Sequence, residues 1–344
     1  MYQCSPLFAT TEVTPNILII LDNSGSMNYM ANGYIKTGSD AGFYRPDDFD
    51  PNAVYYGYFD SAARYTYNGT SNEFVRDNVS GAWNGNFLNW LAMRRVDVER
   101  KVLVGGKAGS RTGTGETVLS GEVPAQDNRK FFKFYSGAGS YTPYSNQYVY
   151  KLSKGYIERY KIDTPANFNY ASNFKMYCND FNGHDAYFED AHFDYQGASG
   201  EDYKSYRVYS RKAARANGAC DINYYDTGTI RTTLTYQDRF AIKVRKKASE
   251  EPNLFLDGNV AGILQRVGNR ARFGLEYYNN DEGGRIANYI GSPLPALIKN
   301  IEDEGCNNWT PLAEMYTDVR HLRFADGPDE VHWMVVGRHE LQTH

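Results

Sequence analysis

The sequence has no long apolar run and no strong charge of either sign. No stretch approaches the ~20 consecutive apolar residues that cross a bilayer, so no membrane-spanning helix is predicted. The 37 basic and 41 acidic residues leave a formal net charge of −4. The densest basic stretch, residues 243–247, is too short to indicate binding to nucleic acid or to an anionic membrane. Neither is therefore an expected partner.

Cysteine and histidine are also scarce. The four cysteines form no C-x-x-C pair, which argues against a zinc ribbon and is compatible with two disulfides in an exported protein. Three pairings stay open, and Cys178 with Cys220 is weakly preferred because both lie in one long middle region. The six histidines have no catalytic or metal-binding spacing, so we do not expect an enzyme. A metal-dependent hydrolase is the least favoured alternative.

Tyrosine and glycine are abundant, with 30 and 32 residues. Because tyrosine combines a large apolar ring with a hydroxyl group, this composition is typical of extracellular β-rich proteins and of binding surfaces. We favour the interpretation that the tyrosines pack irregular loops. A Tyr-rich structural subunit of an extracellular filament or envelope complex is the alternative function.

The most informative stretch is Asn16 to Met27. The aliphatic run Ile17–Leu21 predicts a strand buried on both faces, in the middle of a parallel sheet. Asp22, Ser24 and Ser26 follow at a spacing of two, so a tight loop could direct one carboxylate and two hydroxyls at a common point. Such hard oxygen donors suit a divalent cation that keeps several waters, Mg²⁺ above all, with Ca²⁺ or Mn²⁺ as alternatives.

Periodicity and turn chemistry predict most of the other elements. We expect a helix over 86–104 with Asn86 as its N-cap, and a helix over 257–269. A strand over 272–278, a hairpin to 285–290, a helix over 294–304 and a strand over 331–336 follow. Thr310 before Pro311 is typical of a helix start. Residues 28–83 and 107–247 read as ordered insertions, the second rich in β-strands.

The pattern Asp22-x-Ser24-x-Ser26 after an aliphatic strand resembles the metal-ion-dependent adhesion site of von Willebrand factor A domains. Thr310, in Thr-Pro-Leu-Ala-Glu, resembles the second loop of that site. The resemblance implies an α/β, Rossmann-like fold with a mostly parallel central sheet, as one domain over 1–344 that is incomplete at its C-terminus. It also implies a metal site made of Asp22, Ser24, Ser26 and Thr310. The third-loop aspartate stays unassigned, because Asp326 follows a poor strand.

Further segments narrow the resemblance to the A domain of type IV pilus tip-associated adhesin and assembly proteins. They are 85–90 (Gly-Asn-Phe-Leu-Asn-Trp), 93–97 (Met-Arg-Arg-Val-Asp) and 100–106. This implies an extracellular protein at the pilus tip or bacterial surface. Its expected partners are minor pilins or other tip proteins, and a host or abiotic surface ligand that offers a carboxylate.

Two expectations concern the ends of the chain. Family members carry a C-terminal β-propeller, which these residues do not contain. Residues 1–11 lack the basic start and apolar core of a signal peptide. We therefore expect an exported protein whose signal peptide precedes this sequence.

Overall fold

The computed structural model of the chain describes residues 14–35, 44–46, 49–125, 131–163, 176–178, 187–188, 191–195, 205–210, 230–280, 283–308, 310 and 331–334. They divide into two compact units. The first unit comprises Met1–Asn23, Leu264–Ile301 and Asn308–His344, as far as these are described. The second unit comprises Ser24–Ile263 together with Glu302–Asn307.

The elements of the described residues are strands and four α-helices. The helices are α1 (Gly85–Ala92), α2 (Arg95–Val104), α3 (Ile263–Val267) and α4 (Leu294–Asp303). The strands are β1 (Asn16–Leu21), β2 (Gly33–Ile35), β3 (Tyr44–Pro46), β4 (Arg64–Asn68), β5 (Glu73–Arg76), β6 (Trp83–Asn84), β7 (Glu116–Ser120), β8 (Phe131–Lys133), β9 (Tyr148–Ser153), β10 (Tyr156–Asp163), β11 (Met176–Cys178), β12 (Tyr187–Phe188), β13 (Ala191–Tyr195), β14 (Ser205–Ser210), β15 (Ile230–Ala241), β16 (Lys243–Lys247), β17 (Phe255–Leu256), β18 (Asn259–Val260), β19 (Arg272–Tyr278), β20 (Gly284–Asn288) and β21 (Val331–Met334).

The first unit is built on a sheet with the strand order β20-β19-β1-β21. Strand β1 is parallel to both of its neighbours, with Ile17 opposite Phe273 on one side and His332 on the other. Strand β20 pairs antiparallel with β19 at the edge. The predicted central strand, the strand over 272–278 and the hairpin that follows it are confirmed. The predicted burial of β1 on both faces is wrong: Ile19 and Leu21, on one face, are buried, and the other residues are half-buried.

The second unit holds two larger sheets. An antiparallel sheet has the order β11-β12-β13-β14-β15-β10-β9-β8, and a mixed sheet has the order β6-β4-β5-β16-β7. One continuous core contains the buried rings of Phe59, Phe74, Trp83, Phe87 and Trp90. The chain is thus a mixed α/β structure with parallel and antiparallel strands. That 28–83 and 107–247 are insertions stays a prediction.

Buried tyrosines of the second unit accept hydrogen bonds through their hydroxyl oxygens. The Tyr55 hydroxyl accepts from the backbone N–H of Asp50, and that of Tyr65 from Asp60, each at 2.8 Å. The Asp50 and Asp60 carboxylates each accept from the backbone N–H two residues further on, at 2.9 and 3.0 Å. Asp-x-x-x-x-Tyr therefore recurs as one folded unit, in agreement with the interpretation that the tyrosines pack loops.

The prediction of a single helix over 86–104 is wrong, because the segment is interrupted near its middle. Met93 and Arg94 have extended backbones and divide the segment into α1 and α2. The Met93 carbonyl accepts from Ala31 N–H at 2.9 Å, and Arg95 N–H donates to the Tyr29 carbonyl at 3.0 Å. Pairing with residues 29–31 thus replaces helical hydrogen bonds, which the periodicity of the segment does not reveal.

Two other helix predictions need correction. The N-cap of α1 is Asn84, not Asn86, because the Asn84 side chain accepts from Phe87 N–H at 3.0 Å. The helix predicted over 257–269 is confined to α3. Asp257 and Gly258 both have positive φ, at 49° and 73°, and join β17 to β18 in a two-residue hairpin. An Asp-Gly turn forms at this position although the apolar residues are spaced as in a helix. The helix predicted over 294–304 is confirmed as α4.

We expect Gly105→Ala to lower the free energy of unfolding by about 1–3 kcal/mol. Gly105 ends α2 with φ of 85°, and a Cβ there would lie 2.7 Å from the backbone nitrogen of Ala261. Urea unfolding followed by circular dichroism measures the change. Gly69→Ala is the control, since nothing lies within 4 Å of a Cβ at Gly69. Equal stability of the two variants would contradict the strain argument.

Candidate functional site

The Ser24 and Ser26 hydroxyls come together in the second unit. A single 3₁₀ turn, Gly25–Asn28, begins right after Ser24. The backbone N–H of Met27 donates to the Ser24 carbonyl, and that of Tyr29 to the Ser26 carbonyl, each at 3.0 Å. The two hydroxyl oxygens are 2.9 Å apart and share a hydrogen bond. This turn is the local reason why residues at a spacing of two present their side chains to one place. That they bind an ion stays a prediction.

Asp22 and Thr310 belong to the first unit. Asp22 directly follows β1 and is half-buried, and Thr310 is exposed. The backbone N–H of Asn308 donates to the Asn23 carbonyl at 3.2 Å, and the Asn308 amide donates to the Tyr278 carbonyl at 2.7 Å. Asn308 therefore holds the start of the predicted second loop at the carboxyl ends of β1 and β19. Such an edge is where α/β sheets usually bind ligands. Pro311 and Asp326 lie outside the described residues.

The donor chemistry fits a hard cation. Within the part of the chain that the structure describes, no three His, Cys, Asp or Glu side chains come together as metal ligands. The predicted set is of another kind, with one carboxylate and three hydroxyls. Mg²⁺ is compatible with such a set because it keeps several waters and takes few protein ligands.

Arg94 fixes the end of the serine turn, which is the 3₁₀ turn Gly25–Asn28 with Ser24 before it. Its side chain is 1% exposed and its guanidinium donates to the Asn28 carbonyl and, at 3.4 Å, to the Ser153 carbonyl. The Asn28 amide in turn donates to the Cys306 carbonyl. All of these residues lie in the second unit. No local sequence signal predicts this role of Arg94, which is marked only by its place in the Met-Arg-Arg segment 93–95.

Two asparagines of α1 hold the segment that precedes it. Asn86 accepts from Tyr55 N–H and donates to the Ala53 carbonyl, each at 2.7 Å. Asn89 is 1% exposed; it accepts from Phe59 N–H at 3.0 Å and donates to the Tyr55 and Phe59 carbonyls at 2.9 and 2.8 Å. The Asn-Phe-Leu-Asn-Trp segment thus binds the backbone of the preceding segment through its two asparagines, while Phe87 and Trp90 pack in the core.

Buried charges surround the start of α2. The Asp97 carboxylate accepts from Arg94 N–H at 3.1 Å and from Glu122 N–H at 2.8 Å. Burial raises the pKa of Asp97 to about 6, against the opposing effect of Arg100. Glu122 forms an ion pair with Arg100. Burial alone would raise the pKa of Glu122, but Arg100 and Lys107 hold it below its usual value.

The region that contains α1 and α2 is also similar to known proteins. Residues 47–176 match a family described as PilY1 homolog, small alpha/beta domain. Two curated proteins of Xylella fastidiosa (strain Temecula1), each named type IV pilus biogenesis factor PilY1 homolog, match with 37% identity over 100 residues and 34% over 93. This part of the chain is similar to the PilY1 homologues. The predicted relation to type IV pilus proteins is confirmed at this level.

The relation to the PilY1 homologues covers limited parts of both chains. The two matches span 27% and 22% of this chain and only 6% and 8% of the length of those relatives. No solved structure matches the chain significantly. None of the helices in the described residues has the length and apolar character needed to cross a membrane. The matched residues 47–176 include α1, α2 and the buried carboxylate of Asp97. They contain none of the four predicted metal ligands.

We expect Asn89→Ala to lower the free energy of unfolding by about 3–5 kcal/mol. It leaves one backbone N–H and two carbonyls buried without this partner, and each such group costs about 1–3 kcal/mol. Chemical unfolding followed by tryptophan fluorescence measures the loss. The control is Asn52→Ala, whose exposed amide contacts only Asp50 among the described bonds. A stable Asn89→Ala variant would show that these hydrogen bonds are dispensable.

The Asp97 carboxyl should make the second unit more stable in mild acid. Its folded pKa is above the unfolded value, so its contribution is full below pH ~4 and is lost as pH rises through about 6. Asp97→Asn should flatten this part of the dependence, which urea unfolding between pH 4 and 7 measures. Asp257→Asn, at an exposed turn that asparagine tolerates, is the control for the Asp-to-Asn substitution itself. An unchanged profile for Asp97→Asn would refute the assignment.

Proposed function

We propose that the protein acts at the type IV pilus, in pilus assembly and surface adhesion, outside the cell at the pilus tip or bacterial surface. The match of residues 47–176 to the PilY1 homolog domain is the observation that carries the proposal. The two relatives are named as pilus biogenesis factors. On this proposal the partners are minor pilins or other tip proteins, and the chain is not an enzyme.

The proposed means of recognition is a metal site in a domain of the von Willebrand factor A type. Asp22, Ser24, Ser26 and Thr310 would hold the ion, with Mg²⁺ preferred, and a carboxylate of a partner would complete its coordination. The parallel placement of β1 and the anchoring of the second loop by Asn308 support this within the first unit. The 2.9 Å contact of Ser24 with Ser26 supports it within the second.

The alternative, a Tyr-rich structural subunit, has less support. Tyr55, Tyr58, Tyr65, Tyr150 and Tyr160 are buried in the core of the second unit. Packing within this chain alone accounts for these five tyrosines, which need not contact other subunits of a filament.

The pilus role is tested in the bacterium that carries the gene. Deletion should reduce surface pili and adhesion, and the wild-type gene should restore both. A strain that carries Asp22→Ala at the chromosomal locus should make the protein at a normal level. It should nevertheless have fewer pili or weaker adhesion than the strain with the wild-type gene. A deletion strain with normal pili and adhesion would refute the proposed function.

Occupation of the metal site is tested on the purified chain. Mg²⁺ or Mn²⁺ should raise the melting temperature, because a ligand at ~100 times its Kd stabilises the folded state by about 2.7 kcal/mol. Asp22→Ala should abolish the shift, since it removes the single carboxylate of the set. Asp303→Ala, an exposed aspartate at the end of α4, should retain it. A wild-type chain without a metal-dependent shift would contradict an occupied site.

A further inference from the structure

A cleft of about 450 Å³ opens beside β7 in the second unit. Its polar lining consists of Ser110, Thr114, Glu116, Thr117 and Arg245. This volume is in the range of pockets that bind small ligands. None of these residues belongs to the predicted metal loops, so the cleft is a separate feature of the surface.

The wall of the cleft is held in place before any ligand arrives. Gly113 N–H donates to the Asn259 side chain and Gly115 N–H to the Gly258 carbonyl, each at 2.9 Å. The Thr117 hydroxyl donates to the Ser110 carbonyl, also at 2.9 Å. A loop that is already ordered loses little conformational entropy when a ligand binds.

The loop is further anchored by Arg111. Its guanidinium donates to the Val104 and Gly106 carbonyls at 2.8 and 3.1 Å, and pairs with Glu302 at 2.9 Å. The stretch 105–115 is rich in Gly, Ser and Thr, a composition typical of flexible segments. In the structure, hydrogen bonds to nearby backbone, the ion pair with Glu302 and a bond from Arg111 to the Val260 carbonyl fix it in place.

An ion-pair triplet gives the cleft its polar character. The Arg245 guanidinium donates to Glu73 through Nε at 2.7 Å and to Glu116 through Nη1. Glu73 is 4% exposed, whereas the side chains of Arg245 and Glu116 are 32% and 41% exposed. A guanidinium has five N–H groups and a carboxylate has about four acceptor positions. Arg245 and Glu116 thus present a donor and an acceptor side by side at the cleft.

We propose that this cleft binds a neutral, hydroxyl-rich ligand, namely a sugar unit of a glycan. Neighbouring sugar hydroxyls donate and accept at adjacent positions, which matches Glu116 beside Arg245 and the hydroxyls of Ser110 and Thr114. The carboxylates of Glu73 and Glu116 carry two negative charges beside the single positive charge of Arg245. This balance disfavours an anionic ligand. Val118 is the single aliphatic residue of the lining, which disfavours an apolar ligand.

The test is isothermal titration of the full chain with maltose, lactose and N,N′-diacetylchitobiose in the presence of EDTA. At least one disaccharide should bind. Glu116→Gln should weaken its binding at least about tenfold, because a hydrogen bond to a charged group is lost. Glu250→Gln is the matched control, since Glu250 is absent from the cleft lining and its carboxylate lies 4.0 Å from the Lys247 ammonium. It should bind as the wild type does.

A second variant fills the cleft without touching its charges. A Cβ at Gly109 would meet only the Val118 carbonyl oxygen, at 3.5 Å, so Gly109→Phe should fold. It should abolish binding. Gly69→Phe places the same ring at an open site of the same unit and should bind normally. Melting curves establish that both variants are folded.

Three results would overturn the proposal. They are binding of none of the three disaccharides, unaltered binding by folded Gly109→Phe, and displacement of the disaccharide by inorganic phosphate, which would indicate an anion site. Because EDTA is present throughout, loss of the metal site would not affect the result. Binding that appears only after Mg²⁺ replaces EDTA would place the sugar at the metal loops and refute the cleft assignment.

Discussion

In the second unit, the positions of the serine turn and of the break between α1 and α2 depend on one buried contact, in which the Arg94 guanidinium donates to the Asn28 carbonyl. A buried charge is costly unless hydrogen bonds satisfy it. For the Arg94 guanidinium, the carbonyls of Asn28 and Ser153 accept these bonds. The first helix ends before Met93, and the backbone of residues 93–95 pairs with residues 29–31 instead. The end of the serine turn is thereby fixed by the region that relates the chain to the PilY1 homologues. The predicted ion ligands and the matched segment are distinct residues, yet Ser24 and Ser26 are positioned partly by that segment.

What the sequence could predict follows from how local each signal is. Strand β1 was predictable because five aliphatic residues in a row have few alternatives, and the hairpin of β19 and β20 because its turn chemistry is explicit. The convergence of Ser24 and Ser26 was foreseeable from their spacing. The break at Arg94 was not, because its cause lies more than sixty residues away at Asn28. The same holds for Asn308, whose partners Asn23 and Tyr278 are distant in the chain. Long-range polar bonds leave no periodic mark, and they are what position the candidate site.

The abundance of tyrosine and asparagine has a common physical explanation. Segments such as 49–63 have little regular structure, so their backbone groups need other partners. Asn89 supplies three of these bonds and the Tyr55 and Tyr65 hydroxyls supply one each. A phenylalanine or leucine core could fill the same volume but would leave these N–H groups unsatisfied. A fold with long irregular segments in its core therefore selects side chains that are large and also polar at the tip.

Buried tyrosines also determine how the protein should respond to alkali. Burial raises the pKa of Tyr58 and of Tyr65, so the folded chain keeps these protons where a solvated phenol has lost them. Unfolding releases the protons, and stability must therefore fall as pH climbs past about 10. Tyrosinate absorbs ultraviolet light at longer wavelengths than tyrosine. Alkaline denaturation of the second unit thus carries its own optical signal, in which the appearance of phenolate reports the opening of the core.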